Sequence, residues 1–384
     1  MKKVVEGSMA VAEFVKLCRP NVISAYPITP QTHIVENLAQ IVADGELKAE
    51  FVNVESEHSA ASCVLGASVA GARVYTATSS QGLLLMTEVL YNIAGMRLPI
   101  VLTCVNRSVS APINIWNDWQ DSISVRDSGW IQLYAETNQE AADMHIQAYK
   151  IAENPDMLIP VMVCMDGFML SHSYEPIDYP EAAEVDKFLP PYKPLYYLDV
   201  KNPLTFGPMA GPELYAETRF NLHKTVLESF SLVKKTAEEF KNAFGRYYGS
   251  LIDTYKIEDA DLVIVSMGSM LGTIKETVDL LREKGKKIGV LKIRCFRPFP
   301  KDEVRNILAN KKKVAVIEKD ISLGSDGVLY TEICSALYKT PNPPQIYGFV
   351  AGLGGRDVTV NTIMKAIEST DKNEESCKFI DVKE

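Results

Sequence analysis

The 384-residue chain has no CxxC pair among its seven cysteines and no HxxxH pair among its five histidines. The first absence excludes a small disulfide-framed fold and a self-contained cysteine-ligated zinc or iron–sulfur site of the usual spacing. The second argues against any metal site carried by this chain. No G-x-x-x-x-G-K-[ST] phosphate loop occurs, and the glycine-rich GLGGRD (352–357) lacks the G-x-G-x-x-G spacing of a dinucleotide site. No apolar run approaches the ~18 residues that span a bilayer. The opening MKKVVEGSMAVAEF has no continuous apolar core after its lysines, so no signal peptide is expected. Basic charge is in deficit too: the net charge is −9, which argues against nucleic acid or an anionic membrane as partner. Cysteines scattered through apolar runs suit free thiols in a reducing cytoplasm.

What is present is hydrophobic residue, 47% of the chain, enough for cores in two or three domains. Short β-branched runs at 21–25, 50–54, 73–78, 99–105, 130–135 and 160–165 alternate with helical patterns. A stripe of Ile34, Leu38, Ile41 and Val42 marks one helix, residues 57–70 a second, 83–94 a third. Thr137 to Glu140 has the capping-box pattern before a fourth. Continuous strands separated by helices imply a parallel sheet covered on both faces. A second alternation runs from about 257, with strands at 262–265, 288–293, 314–317 and 346–350. Between the two, from about 171 to 256, a Pro- and Tyr-rich stretch and one or two amphipathic helices read as an arm wrapping a neighbouring domain or subunit. The expected class is therefore α/β, with two parallel-sheet domains, 1–240 (arm included) and 257–384. The polar tail after 369 is expected to fray.

Ligands of an open parallel sheet bind past the carboxyl ends of its strands. Those ends carry Tyr26-Pro27-Ile28-Thr29, then Glu55-Ser56-Glu57-His58, Ser79-Ser80-Gln81-Gly82 and Asn106-Arg107-Ser108. Thr29 is expected to cap the next helix, with Pro30 at its first position, while its proton remains available to an anion. The helix after Glu57 is nearly all small residues, which implies deep packing and a partly buried Glu57 suited to proton traffic. Arg107 offers the bidentate guanidinium that holds a carboxylate. Two tryptophans in the polar loop 115–129 read as an interface anchor rather than the alternative, a pocket lid, and SMGSMLGT (266–273) as a tight turn or an anion cradle at a helix N-terminus.

In order, YPITPQT, VESEHSAAS, TSSQGLLLMTEVLYNIAGMRLPIV and NRSVSAP strongly resemble the alpha subunit of the thiamine-diphosphate-dependent 2-oxoacid:ferredoxin oxidoreductases, of the pyruvate type. The resemblance covers nearly the whole chain. It implies a pyrimidine-type thiamine-diphosphate-binding domain to about 240 and a transketolase C-terminal-like domain from 257, including RPFP at 297–300. It assigns Glu57 to the aminopyrimidine of thiamine diphosphate as the catalytic proton-handling group, with Tyr26 and Ile28 as further cofactor contacts. Thr29 and Arg107 match the residues that hold the substrate carboxylate. The reaction implied is oxidative decarboxylation of pyruvate with coenzyme A, reducing ferredoxin.

The family's Gly-Asp-Gly motif for diphosphate and Mg2+ is supplied neither by Met165-Asp166-Gly167 nor by Ser325-Asp326-Gly327. This chain is therefore expected to hold half of a shared cofactor site. Partner subunits of beta, gamma and delta type would bring Mg2+, the [4Fe–4S] clusters and most of the coenzyme A site. Other substrates of the same chemistry (branched-chain oxoacids, 2-oxoglutarate, oxalate) stay open as alternatives, as does a non-catalytic assembly subunit.

Overall fold

The computed structural model describes residues 2–374 and 377–383. Along the N-terminal sheet the strands lie in the order Cys295–Arg297, Ile131–Tyr134, Val161–Asp166, Val101–Asn106, Val74–Thr78, Val22–Ala25, Glu50–Asn53. All are parallel except the first. Every residue of Val74–Thr78, Val101–Asn106 and Val161–Asp166 is buried, as β-branched strands covered on both faces require. Helices Gly7–Cys18, Thr32–Ala43 and Asn138–Ala152 cover one face, with Phe14, Leu38 and Tyr149 in that core. Helices Glu57–Val69 and Thr87–Gly95 cover the other with Val64 and Leu90.

The C-terminal sheet runs Lys378–Phe379, Gln345–Val350, Lys313–Glu318, Leu262–Ser266, Ile288–Ile293, Ile252–Tyr255, with only the last antiparallel. A separate hairpin pairs Lys2–Glu6 with Tyr174–Asp178. The arm ends in one 33-residue helix, Pro212–Phe244, opened by its proline and closed by Gly245 in the left-handed region (φ 71°). Its Phe240 packs edge-on to Phe188 of the arm's short helix Ala182–Phe188 at 5.5 Å. No helix among the described residues is long and apolar enough to cross a membrane.

Three devices lock the sheets together. Residues Cys295–Arg297, from the C-terminal half, complete the N-terminal sheet beside Ile131–Tyr134. Glu140, 1% exposed, receives Lys292 at 2.6 Å and Arg294 at 3.0 Å. Asp166, at the carboxyl end of its strand, accepts from Ser269 N–H at 3.0 Å, Lys319 at 3.1 Å and Trp119 Nε1 at 2.8 Å. Burial raises the Asp166 carboxyl, but Lys319 and these donors outweigh it and hold it below the usual carboxylate range. The turn at 266–270 is thus an anion cradle whose anion is a side chain of the same chain. A Cβ on its Gly268 (φ 67°) would stand 2.9 Å from Trp119.

Several expectations need correction. The described part of the tail is ordered: Lys378–Phe379 joins the sheet, Ile380 is buried, and Thr362 holds Asp381 at 2.8 Å; residues 375, 376 and 384 lie outside the described residues. Thr137 Oγ1 caps its helix, but Glu140 turns away to Glu136 N–H and to Lys292 and Arg294 instead of closing the capping box. Helix Glu57–Val69 buries Ala60, Ala61, Val64, Ser68 and Val69 but leaves Ser62, Gly66 and Ala70 exposed. Its small residues are divided between a packed face and an open one. The tryptophans part company: Trp119 is fully buried, whereas Trp116 is 50% exposed.

Candidate active site

The N-terminal sheet starts in its interior. From Val22–Ala25 the chain goes to Glu50–Asn53 on one side and Val74–Thr78 on the other. The connections therefore part at the carboxyl end of Val22–Ala25, where such sheets bind ligands. The segment leaving that strand puts Tyr26 and Thr29 in solvent and half-buries Ile28. It does not enter a helix at Pro30. A tight turn closes first, with Gln31 N–H donating to Ile28 O at 2.8 Å, and the helix begins at Thr32. Buried Gln31 explains the delay, since its side chain accepts from Ile28 N–H at 3.2 Å and donates to Ala77 O at 2.8 Å. Those partners exist only in the turn. Thr29 is consequently not a helix cap, and its hydroxyl makes no hydrogen bond among the described residues.

Arg107 lies under this turn. Its Nη1 donates to Thr29 O at 2.9 Å and its Nε to Asn114 O at 3.0 Å. Among the described residues no carboxylate forms an ion pair with it, and Nη2 has no hydrogen-bond partner. Burial pulls the guanidinium below its ordinary value, with Asp121 opposing. Two carbonyls aim the group and leave its charge unneutralised.

Glu57 opens its helix behind Ser56, whose hydroxyl caps Ser59 N–H. It is 7% exposed, while Glu55 stays in solvent. Its carboxylate lies against Gly82, where a Cβ would stand 2.7 Å from Oε1 and 2.4 Å from Thr78 Oγ1. Only glycine permits that approach. Beside it, Thr78 Oγ1, Ser79 Oγ, Gln81 Nε2 and Asn106 Oδ1 are buried without a partner among the described residues. Buried polar atoms are ordinarily paired, so this cluster keeps donors and acceptors that the described residues do not satisfy.

Asp121, fully buried, joins the two parts. One carboxylate oxygen accepts from Arg107 N–H and Ser80 N–H, both at 2.9 Å, and the other from Asn106 Nδ2 at 2.8 Å. It holds Ser80 in the left-handed region (φ 49°), a cost that backbone strain concentrates at functional sites. Burial raises the Asp121 carboxyl against these donors. Asp118 is pushed up to about 7, first by burial and then by Asp121, while Gln120 N–H and Gly354 N–H pull the other way.

The structure therefore brings Arg107 against the Thr29 backbone and links both to the Glu57 loop through Ser80 and Asp121. Among the described residues no hydrogen bond or ion pair joins Glu57 to Thr29, Arg107, Tyr26 or Ile28. Sequence reasoning assigned no role to Asp121, Gln31 or Ser80. Asp121 follows Asn106 by fifteen positions with no local pattern; a strand-terminal Ser-Ser-Gln-Gly was the one available hint. Exposed Tyr26, Ile113, Ile115, Trp116 and Met169 lie on the segments that follow these strands, and exposed Leu85 ends the short helix Ser80–Leu85.

Two family models match the chain: pyruvate flavodoxin/ferredoxin oxidoreductase, thiamine diphosphate-binding, over residues 13–238, and pyruvate:ferredoxin oxidoreductase core domain II over 260–363. The pyruvate synthase subunit PorA of Methanosarcina barkeri is 53% identical, over 99% of this chain and 96% of its own. The ketoisovalerate oxidoreductase subunit VorA of Pyrococcus horikoshii is 47% identical, over 99% and 96%. The fold is shared with a 2-oxoglutarate:ferredoxin oxidoreductase from Magnetococcus marinus (TM-score 0.72, 22% identity), covering 96% of this chain but only 65% of that one. A split-gene transketolase superposes more loosely, with a TM-score of 0.55, 13% identity, and coverage of 95% and 96%.

Proposed function

The chain belongs to the pyruvate:ferredoxin oxidoreductase family, and from that premise we propose that it is the alpha-type subunit of an enzyme converting pyruvate and coenzyme A to acetyl-CoA and CO2, with the electrons passed to ferredoxin. The observation that carries the reading is Arg107: a buried guanidinium with no acid of its own, aimed by Thr29 O and Asn114 O at the carboxyl edge of the sheet. It suits the carboxylate of a small oxoacid, with the free Thr29 hydroxyl as second donor.

Thiamine diphosphate, when bound, supplies the electron sink that decarboxylation needs. In this reading Glu57 holds a proton at the ring side of the site, and Thr78, Ser79 and Gln81 offer it their unpartnered atoms. Tyr26 and Ile28 wall the same side. Asp121 keeps the Arg107 and Ser80 backbones in place. The chain supplies no diphosphate anchor: Asp166, the aspartate of its one strand-end Asp-Gly, is consumed by Trp119, Ser269 and Lys319. Partner subunits of beta, gamma and delta type therefore bring Mg2+, the iron–sulfur clusters and the rest of the coenzyme A site in the cytoplasm. The open small-residue face at Ser62, Gly66 and Ala70 and the apolar rim support such docking.

The relative named for ketoisovalerate keeps a branched-chain oxoacid as the second reading. The purified complex decides. Coenzyme A-dependent reduction of ferredoxin by pyruvate at a higher kcat/KM than by 2-oxoisovalerate is the expected result; the reverse order reassigns the substrate, and no activity with either removes the proposal.

A further inference from the structure

On the far side of the Thr29 turn, three residues remote in sequence converge. Glu6 ends the first strand of the hairpin, His33 stands in the first turn of helix Thr32–Ala43, and His172 lies in the loop after Val161–Asp166. One ligand atom from each lies within 4.8 Å of the others. His33 Nδ1 is 2.8 Å from Glu6 Oε1, and the two imidazole rings lie 4.6 Å apart at 37°. His172 Nδ1 meets Ser171 Oγ at 2.7 Å, and that oxygen also receives Phe168 N–H at 2.9 Å. With Nδ1–H donated to Ser171, His172 keeps Nε2 as a lone-pair ligand, the outer-shell arrangement typical of metal-bound histidine.

A simple His33–Glu6 ion pair does not account for the whole cluster. It leaves His172 against a second, tilted imidazole, and protonating both would set two cations 4.6 Å apart. Two neutral imidazoles and one carboxylate are the donor set of open zinc sites, in which a fourth position stays with water. The side chains of His33 and Glu6 are 44% and 16% exposed, which gives an ion a route in.

We propose that Glu6, His33 and His172 bind one divalent transition-metal ion of the zinc class, against the expectation from histidine spacing. Bound there, the ion staples three segments: the N-terminal hairpin, the helix that follows the Thr29 turn, and the loop bearing Phe168. Phe168 stacks on His172 at 4.6 Å and on Trp116 at 4.4 Å, so the same ion would brace the apolar rim. The site is independent of the oxoacid assignment, and its test uses no turnover.

The full chain is stripped with chelator and titrated with Zn2+ alone, reading stoichiometry by equilibrium dialysis and Tm by calorimetry. Wild type is expected to bind one more equivalent than His33→Gln/His172→Gln, and to gain Tm on zinc addition where the double variant does not. Glu6→Gln, a milder change, is expected to keep the fold and weaken zinc binding roughly ten-fold or more. Equal zinc uptake by wild type and the histidine variant, or undiminished affinity in Glu6→Gln, overturns the proposal. Far-UV circular dichroism of the metal-free proteins separates lost ligands from lost fold; if the double variant unfolds, the Glu6→Gln affinity alone decides.

Discussion

At the carboxyl ends of the C-terminal sheet, most polar groups are consumed by the chain itself, and Asp320 alone of the strand-end carboxylates there keeps a buried oxygen without a partner among the described residues. The 266–270 turn and Lys319 hold Asp166, Glu318 accepts from Leu329 N–H and Tyr330 N–H, and Gly354 N–H reaches Asp118. At the same edge of the N-terminal sheet, Thr78, Ser79, Gln81 and Asn106 each keep a buried atom without a partner, and Arg107 has no counter-ion among the described residues. The architecture is the same and the residue types are similar. What differs is whether the chain supplies the complementary group. One edge is cement between the two halves; the other is a socket, with apolar side chains on the loops around it.

That contrast can be broken from either side. Glu57→Gln is close in shape and removes the carboxylate proposed to handle the proton. Turnover of the assembled complex is expected to fall ~10²- to 10⁴-fold with Tm and subunit composition unchanged; wild-type kcat would dissolve the distinction. On the cement side, Asp166→Ala strands Lys319, 4% exposed, with only Asn117 Oδ1 at 3.2 Å. Breaking a buried pair this way costs ~3–5 kcal/mol, so calorimetry should show a large loss of Tm. The pair is also pH-linked. The Asp166 carboxyl is depressed in the folded state, so its stabilisation is present above the unfolded value of about 4 and disappears as pH falls below it. Acid unfolding of wild type should show this loss and Asp166→Asn should not.

Arg107→Ala should act on the socket alone. Losing hydrogen bonds to a charged group costs ~1.5–3 kcal/mol, read as a KM for the oxoacid raised ~10- to 100-fold with stability little changed. An unaltered KM would detach Arg107 from the substrate. The smallest effect is expected at the border between the two edges. Asp118 is raised to about 7 in the folded protein, so the native state holds a proton that the unfolded chain releases near 4. Wild type must then lose stability as pH climbs from about 4 to 7. In Asp118→Asn the fall of Tm with rising pH over that window should flatten, as read by calorimetry.

Strands of the interior were legible because their β-branched runs are continuous and buried on both faces. The runs at 73–78, 99–105, 262–265 and 288–293 all became strands. Of the edge strands, Glu50–Asn53 was visible, but Lys2–Glu6, Ile252–Tyr255 and Cys295–Arg297 escaped notice: they owe their conformation to a partner. The same split holds at the site. Thr29, Glu57 and Arg107 were visible because each follows a strand that declares itself. The N-cap assigned to Thr29 failed because Gln31 had partners at Ile28 and Ala77 that only the fold supplies. Asp121 and the Glu6–His33–His172 cluster stayed hidden for the same reason, since their members meet through tertiary packing.

The strand Cys295–Arg297 also sets a timetable. The sheet bearing Arg107 and Glu57 is finished by residues made long after it, so a nascent chain leaves the ribosome with Ile131–Tyr134 as a bare hydrogen-bonding margin. Unpaired margins recruit strands from other molecules. A chain ended before residue 295 would keep that margin permanently, and aggregation would claim it before any partner subunit arrived.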